Sequence, residues 1–97
     1  MTSYVLSPRA RRDLSDIWDY SAERWGVAQA DRYVRLIISA CEDIAAGRVK
    51  GHSAEAIRTG YLRHSIGSHV VFFKMRRRSG IEVVRILHQR MDVGRHL

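Results

Sequence analysis

The sequence predicts an α+β fold of order β-α-α-β-β-β, with a helical hairpin packed on one face of a small antiparallel sheet. Three observations predict it. The first half of the chain spaces its apolar residues three and four apart, the period of a helix. A single glycine, Gly26, interrupts that pattern, so two helices must double back on one another. The stretch "GYLRHSIGSHVVFFKMRRRSGIEVVRILHQR", Gly60 to Arg90, is rich in β-branched and aromatic residues and is cut by short glycine-containing turns. The 97 residues suit one domain, residues 1–97, with one modest core.

"SYVL" (Ser3–Leu6) is a short strand. Ser7-Pro8 then supplies a helix N-cap followed by proline at the first helical position, where its missing N–H costs nothing. Ala10, Leu14, Ile17, Trp18 and Trp25 form the apolar stripe of the first helix, with Ser21 and Ala22 on the same side, and Gly26 ends it. Ala30, Val34, Ile37, Ile38, Cys41 and Ala45 form the stripe of the second; Tyr33, Ala40 and Ile44 widen it, Gly47 closes it, and Leu36 points away from it. "GRVKGHSAEAIRTG" (Gly47–Gly60) reads as a polar loop with room for a turn of helix. Strands follow at about Tyr61–Ile66, His69–Arg76 and Ile81–His88.

Gly67-Ser68 suits a two-residue hairpin loop with glycine first. That loop pairs Ile66 with His69, His64 with Val71 and Arg63 with Phe72. Because side chains alternate faces, Leu62, His64, Ile66, His69, Val71, Phe73 and Met75 should meet the helices. Trp18, Val34, Ile37, Phe73 and Met75 are the expected core. Tyr61, Arg63, Ser65, Val70, Phe72, Lys74 and Arg76 should face outward. If the next loop spans Arg77–Gly80, Ile81, Val83, Arg85 and Leu87 join them, and a row Arg63–Phe72–Arg85 crosses three strands with guanidinium groups against the ring. A bulge would shift that parity. Such an outer face, apolar and basic together, suits docking by another chain; alternatively the C-terminal "MDVGRHL" folds back over part of it.

Charge is uneven. Residues 1–47 carry six arginines against seven acids, a balance of −1, whereas residues 48–97 carry eleven Lys/Arg against three acids, a balance of +8, and all five histidines. One side of the molecule should therefore face an acidic partner, a nucleic acid or an acidic protein. No run is long and apolar enough to span a membrane, and the start lacks the apolar region of a signal peptide, so a cytoplasmic protein is expected. Cys41, the lone cysteine, lies in an apolar run and reads as a buried thiol.

No glycine-rich phosphate loop, Ser/His/Asp signature or metal-ligand spacing occurs, and no metal or cofactor is expected. His64 and His69 read as polar residues at the core edge. Asp13, Asp16, Asp19 and Glu23 read as a solvated helix face, with Arg12 and Asp16 spaced to pair. Arg63, Lys74, Arg85, His88 and Arg90 are ingredients of a metal-free ribonuclease, in which cations stabilise the transition state and a base takes the 2′-OH proton.

The strings "LSPRARRDLSDIWDY", "RWGVAQADRY", "GYLRHSIGSHVVFFK" and "VVRILHQRMD" together resemble the ParE toxins of bacterial type II toxin–antitoxin systems, within the RelE/ParE superfamily. The resemblance covers nearly the whole chain. It implies a toxin that poisons DNA gyrase and blocks replication without a cofactor or a small-molecule substrate, neutralised by a ParD-like antitoxin in a hetero-oligomer. The RelE-like branch cuts mRNA on the ribosome and places an arginine early in the strand after the hairpin; this chain has Val70 there, and Gln89 near a position often basic in the cutters. No catalytic residue is carried over. Val70, Phe72, Val83, Leu87, Arg63 and Arg85 are the expected antitoxin surface. Arg63, Arg85, His88, Arg90, Met91 and Arg95 are the expected contact with gyrase or DNA held by gyrase. A ribosome-dependent nuclease and a non-toxic nucleic-acid-binding module are the alternatives.

Overall fold

The computed structural model describes residues 3–97; Met1 and Thr2 lie outside it. The element order is β1 (Tyr4–Leu6), α1 (Pro8–Trp25), α2 (Val27–Ala45), β2 (His52–Ser53), β3 (Leu62–Ile66), β4 (His69–Met75), β5 (Ile81–His88) and α3 (Val93–His96). The helical hairpin packs on one face of a five-stranded sheet of order β1-β5-β4-β3-β2. The sheet is mixed, not antiparallel as expected, because β1 runs parallel to β5 with Tyr4 opposite Ile81 and Leu6 opposite Val83. The Gly47–Gly60 loop contributes the unforeseen two-residue strand β2.

The caps are those the residues dictate. The Ser7 hydroxyl accepts from the Ala10 N–H at 3.0 Å and donates to the Val84 carbonyl at 2.7 Å, which fastens the start of α1 to β5. Gly26 breaks the helices at φ 92°, a left-handed value that glycine adopts without steric penalty. Trp18 fastens the hairpin by donating its indole N–H to Asp31 at 2.8 Å.

The β3–β4 register is the expected one, from Ile66 opposite His69 to Leu62 opposite Phe73. The β4–β5 register is not. Arg85 lies opposite Phe72, yet Val83 lies opposite Phe73, so Val84 is an extra residue in a bulge. The bulge resets the alternation. Ile81 and Val83, expected outside, are fully buried against the helices with Val71, Phe73, Ile86, Ile37 and Cys41. Arg85 and Leu87 stay on the outer side.

That outer side is covered. Val70, Phe72, Leu87 and Ala54 form a second buried cluster, packed on by Tyr61 from the loop and by Val93 and Leu97 from the C-terminal segment. The folding back of "MDVGRHL" is therefore what the chain does. Two apolar residues placed in the interior by pattern are exposed: Met75 (64%), the last residue of β4, and Trp25 (62%), the last of α1. Both sit where their element ends and its neighbours no longer cover it. Trp18 and Val34 are half-buried, Leu36 is exposed, and burial pushes the Cys41 thiol up to about 11, which keeps it protonated and unreactive.

Candidate functional site

Two adjoining constellations stand out, and Asp13 belongs to both. The first is a clamp. Arg85 donates from Nε and Nη2 to the two carboxylate oxygens of Asp13, at 2.8 and 2.9 Å, and from Nη1 to the His96 carbonyl at 3.0 Å. The Ile86 N–H, pointing away from β4, donates to the same carboxylate at 2.9 Å. The two side chains are 15% and 12% exposed. Asp13 holds Arg85 above its already high ordinary pKa, so the guanidinium is permanently charged, and each of its three nitrogens donates to an acceptor. Asp13 is thus not part of a solvated face, and Arg85 grips a carboxylate and the tail instead of lying against Phe72. Arg12 and Asp16 form no ion pair among the described residues.

The second is a groove of about 710 Å³ between the helical hairpin and the end of the β4–β5 ladder, lined by Ile17, Tyr20, Trp25, Tyr33, His69, Ile86, His88 and Met91. Its rim is aromatic and exposed: Tyr20 meets Trp25 edge-on at 6.2 Å, and the Arg24 guanidinium lies over both rings at 5.2 and 5.8 Å. At its floor the Tyr33 hydroxyl accepts from the Ser68 N–H at 3.0 Å and shares a hydrogen bond of 2.6 Å with His69 Nδ1. Gly67 permits this closeness, since a Cβ there would meet the Tyr33 hydroxyl at 2.7 Å. His88 crosses His69 edge to face at 5.3 Å, and its Nδ1 accepts from the Arg90 N–H at 3.1 Å. With Nδ1 taken by the Arg90 N–H, the neutral His88 ring carries its proton on Nε2. Burial first, and the neighbouring His88 second, hold His69 below the usual histidine range, against a weaker pull from Asp13.

The expected site residues are dispersed over these features. Val70, Phe72 and Leu87 lie sealed in the outer cluster, and Val83 lies in the opposite core. Arg63 is exposed on the outer face beside His52, two strands from Arg85. Lys74 pairs with Glu82 at 3.5 Å. His88 and Met91 border the groove, while Arg90 and Arg95 are exposed beyond the end of β5. The nuclease ingredients Arg63, Lys74 and Arg85 thus do not converge on one point. Among the described residues, no group of three His, Cys, Asp or Glu is placed to hold a metal ion, and no helix is long and apolar enough to cross a membrane. Sequence reasoning missed Asp13, Tyr20, Trp25 and Tyr33. Only Trp25 carried a local signal, a tryptophan immediately before the glycine that ends its helix.

Comparison with known proteins agrees along the whole chain. The family model described as the ParE toxin of a type II toxin–antitoxin system, parDE, matches residues 4–93. Toxin ParE1 of Mycobacterium tuberculosis is 46% identical over 94 residues, 97% of this chain and 96% of that protein. Toxin ParE1 of Caulobacter vibrioides is 46% identical over 97 residues, 100% of this chain and 99% of that protein. A solved chromosomal ParDE toxin–antitoxin system from P. aeruginosa shares the fold, with a TM-score of 0.77 at 21% identity over 91% of this chain and 96% of that one.

Proposed function

The chain belongs to the ParE toxin family of type II toxin–antitoxin systems, and on that premise we propose that it inhibits DNA gyrase by binding and is neutralised by a ParD-like antitoxin. The observation that carries the choice of binding over bond-breaking is the state of Arg85. A ribonuclease of this superfamily needs cations free to meet the developing phosphorane charge. Here the best-buried cation is spent on Asp13 and a backbone carbonyl. What the surface does offer is Trp25, Tyr20 and Arg24 at the mouth of an apolar groove, the residue types that dominate protein–protein hot spots.

The antitoxin's apolar segment takes that groove in this reading. Reaching Val70, Phe72 and Leu87, with Arg63 beside them, would further require the C-terminal segment to lift away. The exposed Arg90, Met91 and Arg95, with His88, are left for gyrase. In a purified supercoiling assay the toxin should inhibit gyrase, or trap cleaved DNA in its presence, and equimolar antitoxin should reverse this. Codon-positioned mRNA cleavage on translating ribosomes, with gyrase unaffected, would promote the nuclease alternative in its place.

A further inference from the structure

We propose that the toxin on its own binds duplex DNA, without sequence preference, through a cationic strip formed by β2, β3 and the β4–β5 turn. The strip is built from Lys50, Arg58, Arg63, Arg76, Arg77 and Arg78, all exposed. None of the six appears in an ion pair, although acids elsewhere engage Arg48, Lys74, Arg85 and Arg95. Arg63 is held by the sheet, and the other five lie in the segments next to it: Lys50 and Arg58 in the loops before and after β2, and Arg76, Arg77 and Arg78 directly after β4. His52 lies opposite Arg63 and Arg63 opposite Phe72, so Arg63 and His52 share the outer face. Arg76 is the first residue after β4, four beyond Phe72, which puts its backbone about 14 Å from that of Arg63 at ordinary strand rise and spacing. One strand of B-DNA carries a phosphate about every 3.4 Å along the axis, so that separation spans about four phosphates.

The chemistry of the strip favours a phosphate backbone over a protein. A protein interface needs a desolvated apolar or aromatic centre. The aromatic residues that could supply one here, Tyr20 and Trp25, are on the helical hairpin, and Val70, Phe72 and Leu87 beneath the outer face are already covered. Of the large exposed apolar side chains, Ile57 and Met75 alone belong to these elements. What remains is arginine and lysine with Ser65 and His52, the donors that phosphate contacts use. The molecule then divides its surface, with an aromatic groove for protein on one side and a cation strip for nucleic acid on the other. This inference does not rest on gyrase being the target.

The test is fluorescence anisotropy of the whole toxin with a labelled random-sequence duplex, without gyrase, at about 50 to 300 mM salt. If three or four phosphates are neutralised, log K should fall against log salt with a slope of about −3 to −4. Arg63→Gln should weaken binding and reduce the slope by about 1, and the triple Arg76→Gln, Arg77→Gln, Arg78→Gln by about 3. Arg35→Gln, an exposed position on the helical hairpin, removes the same charge elsewhere and should change neither. Melting curves of the variants should match the parent, because these side chains are exposed. Three results would each overturn the proposal: no binding at low salt, an Arg35→Gln effect equal to that of Arg63→Gln, or binding of a polyglutamate peptide in preference to the duplex. Absence of duplex binding by the intact toxin, with its gyrase inhibition present, would sink this inference and leave the proposed function standing.

Discussion

Asp13→Ala probes the clamp on which the proposed mechanism depends. The carboxylate accepts three hydrogen bonds, two from Arg85 at 2.8 and 2.9 Å and one from the Ile86 N–H at 2.9 Å. Truncation strands a guanidinium that is only 15% exposed and an amide at a sheet edge. Breaking a fully buried pair costs about 3–5 kcal/mol, and a hydrogen bond to a charged group is worth about 1.5–3 kcal/mol. The residual exposure lets water reach Arg85, and the His96 carbonyl stays with it, so the loss should be about 2–4 kcal/mol. For a domain of this size each kcal/mol moves Tm by about 4–8 °C, giving a drop of about 10–25 °C by scanning calorimetry. Urea denaturation should show a lower midpoint at constant slope. Asp13→Asn keeps an acceptor and should lose less. In a double-mutant cycle, adding Arg85→Ala to Asp13→Ala should cost less than the sum of the single changes. A Tm within about 2 °C of the parent for Asp13→Ala would mean that the clamp is a solvated contact. Arg85 would then be free for chemistry, and the argument against a nuclease would fail.

Two further outcomes follow from the packing. Deleting Asp92–Leu97 removes Val93 and Leu97 from the outer cluster and the His96 carbonyl from Arg85, so stability should fall by about 2–4 kcal/mol while dye binding reveals newly exposed apolar surface; an unchanged melting curve would show that the segment does not cover the sheet in solution. His69 is held below its ordinary value of 6.5, so below about pH 6.5 the unfolded chain binds a proton that the native state refuses. Stability from this group should be intact above about pH 6.5, decline as pH falls towards the folded pKa, and level off beneath it, and His69→Gln should flatten that decline. A decline of equal slope in the variant would place its origin in another group.

What was legible in the sequence was local. The Ser7-Pro8 cap, the break at Gly26, the Gly67-Ser68 hairpin with its register, the exposure of Leu36 and the burial of Cys41 each follow from neighbouring residues, and the structure has them as read. What was not legible was non-local. Parallel pairing of β1 with β5 joins segments at opposite ends of the chain. Asp13 meets Arg85 across 72 residues, and nothing in a helix rich in acids marks one of them as different. The bulge falls in the Val83-Val84 pair, two valines equally at home on either face, so neither side chain signals the change of parity. Two-residue β2 is too short to carry a period. The covering of the outer face depended on where the tail goes, and its composition allowed both outcomes.

Three of these misses, the pairing of β1, the Asp13 contact and the bulge, meet at residues 83–86 of β5. Strand β1 ends at Leu6, so β5 has no strand partner on that side beyond Val83. An open strand edge invites association with other chains. Here α1 closes it with side chains: the Ser7 N–H takes the Val83 carbonyl, the Ser7 hydroxyl takes the Val84 carbonyl, and the Asp13 carboxylate takes the Ile86 N–H. The bulge between them lets Val83 face the helices while Arg85 reaches round the edge to Asp13. The C-terminal segment is attached more lightly, by one bond from Arg85 to the His96 carbonyl and by Val93 and Leu97 on the outer cluster. A partner that lifts the tail therefore works against that bond and two half-buried side chains, and leaves the Asp13 contacts whole. Losing Asp13 should open the edge and destabilise the domain; losing the tail should bare Val70, Phe72 and Leu87 on a sheet that is still closed. An antitoxin that uses the covered face should then bind the tail-deleted toxin more tightly than the intact one, whereas one confined to the groove should bind both alike.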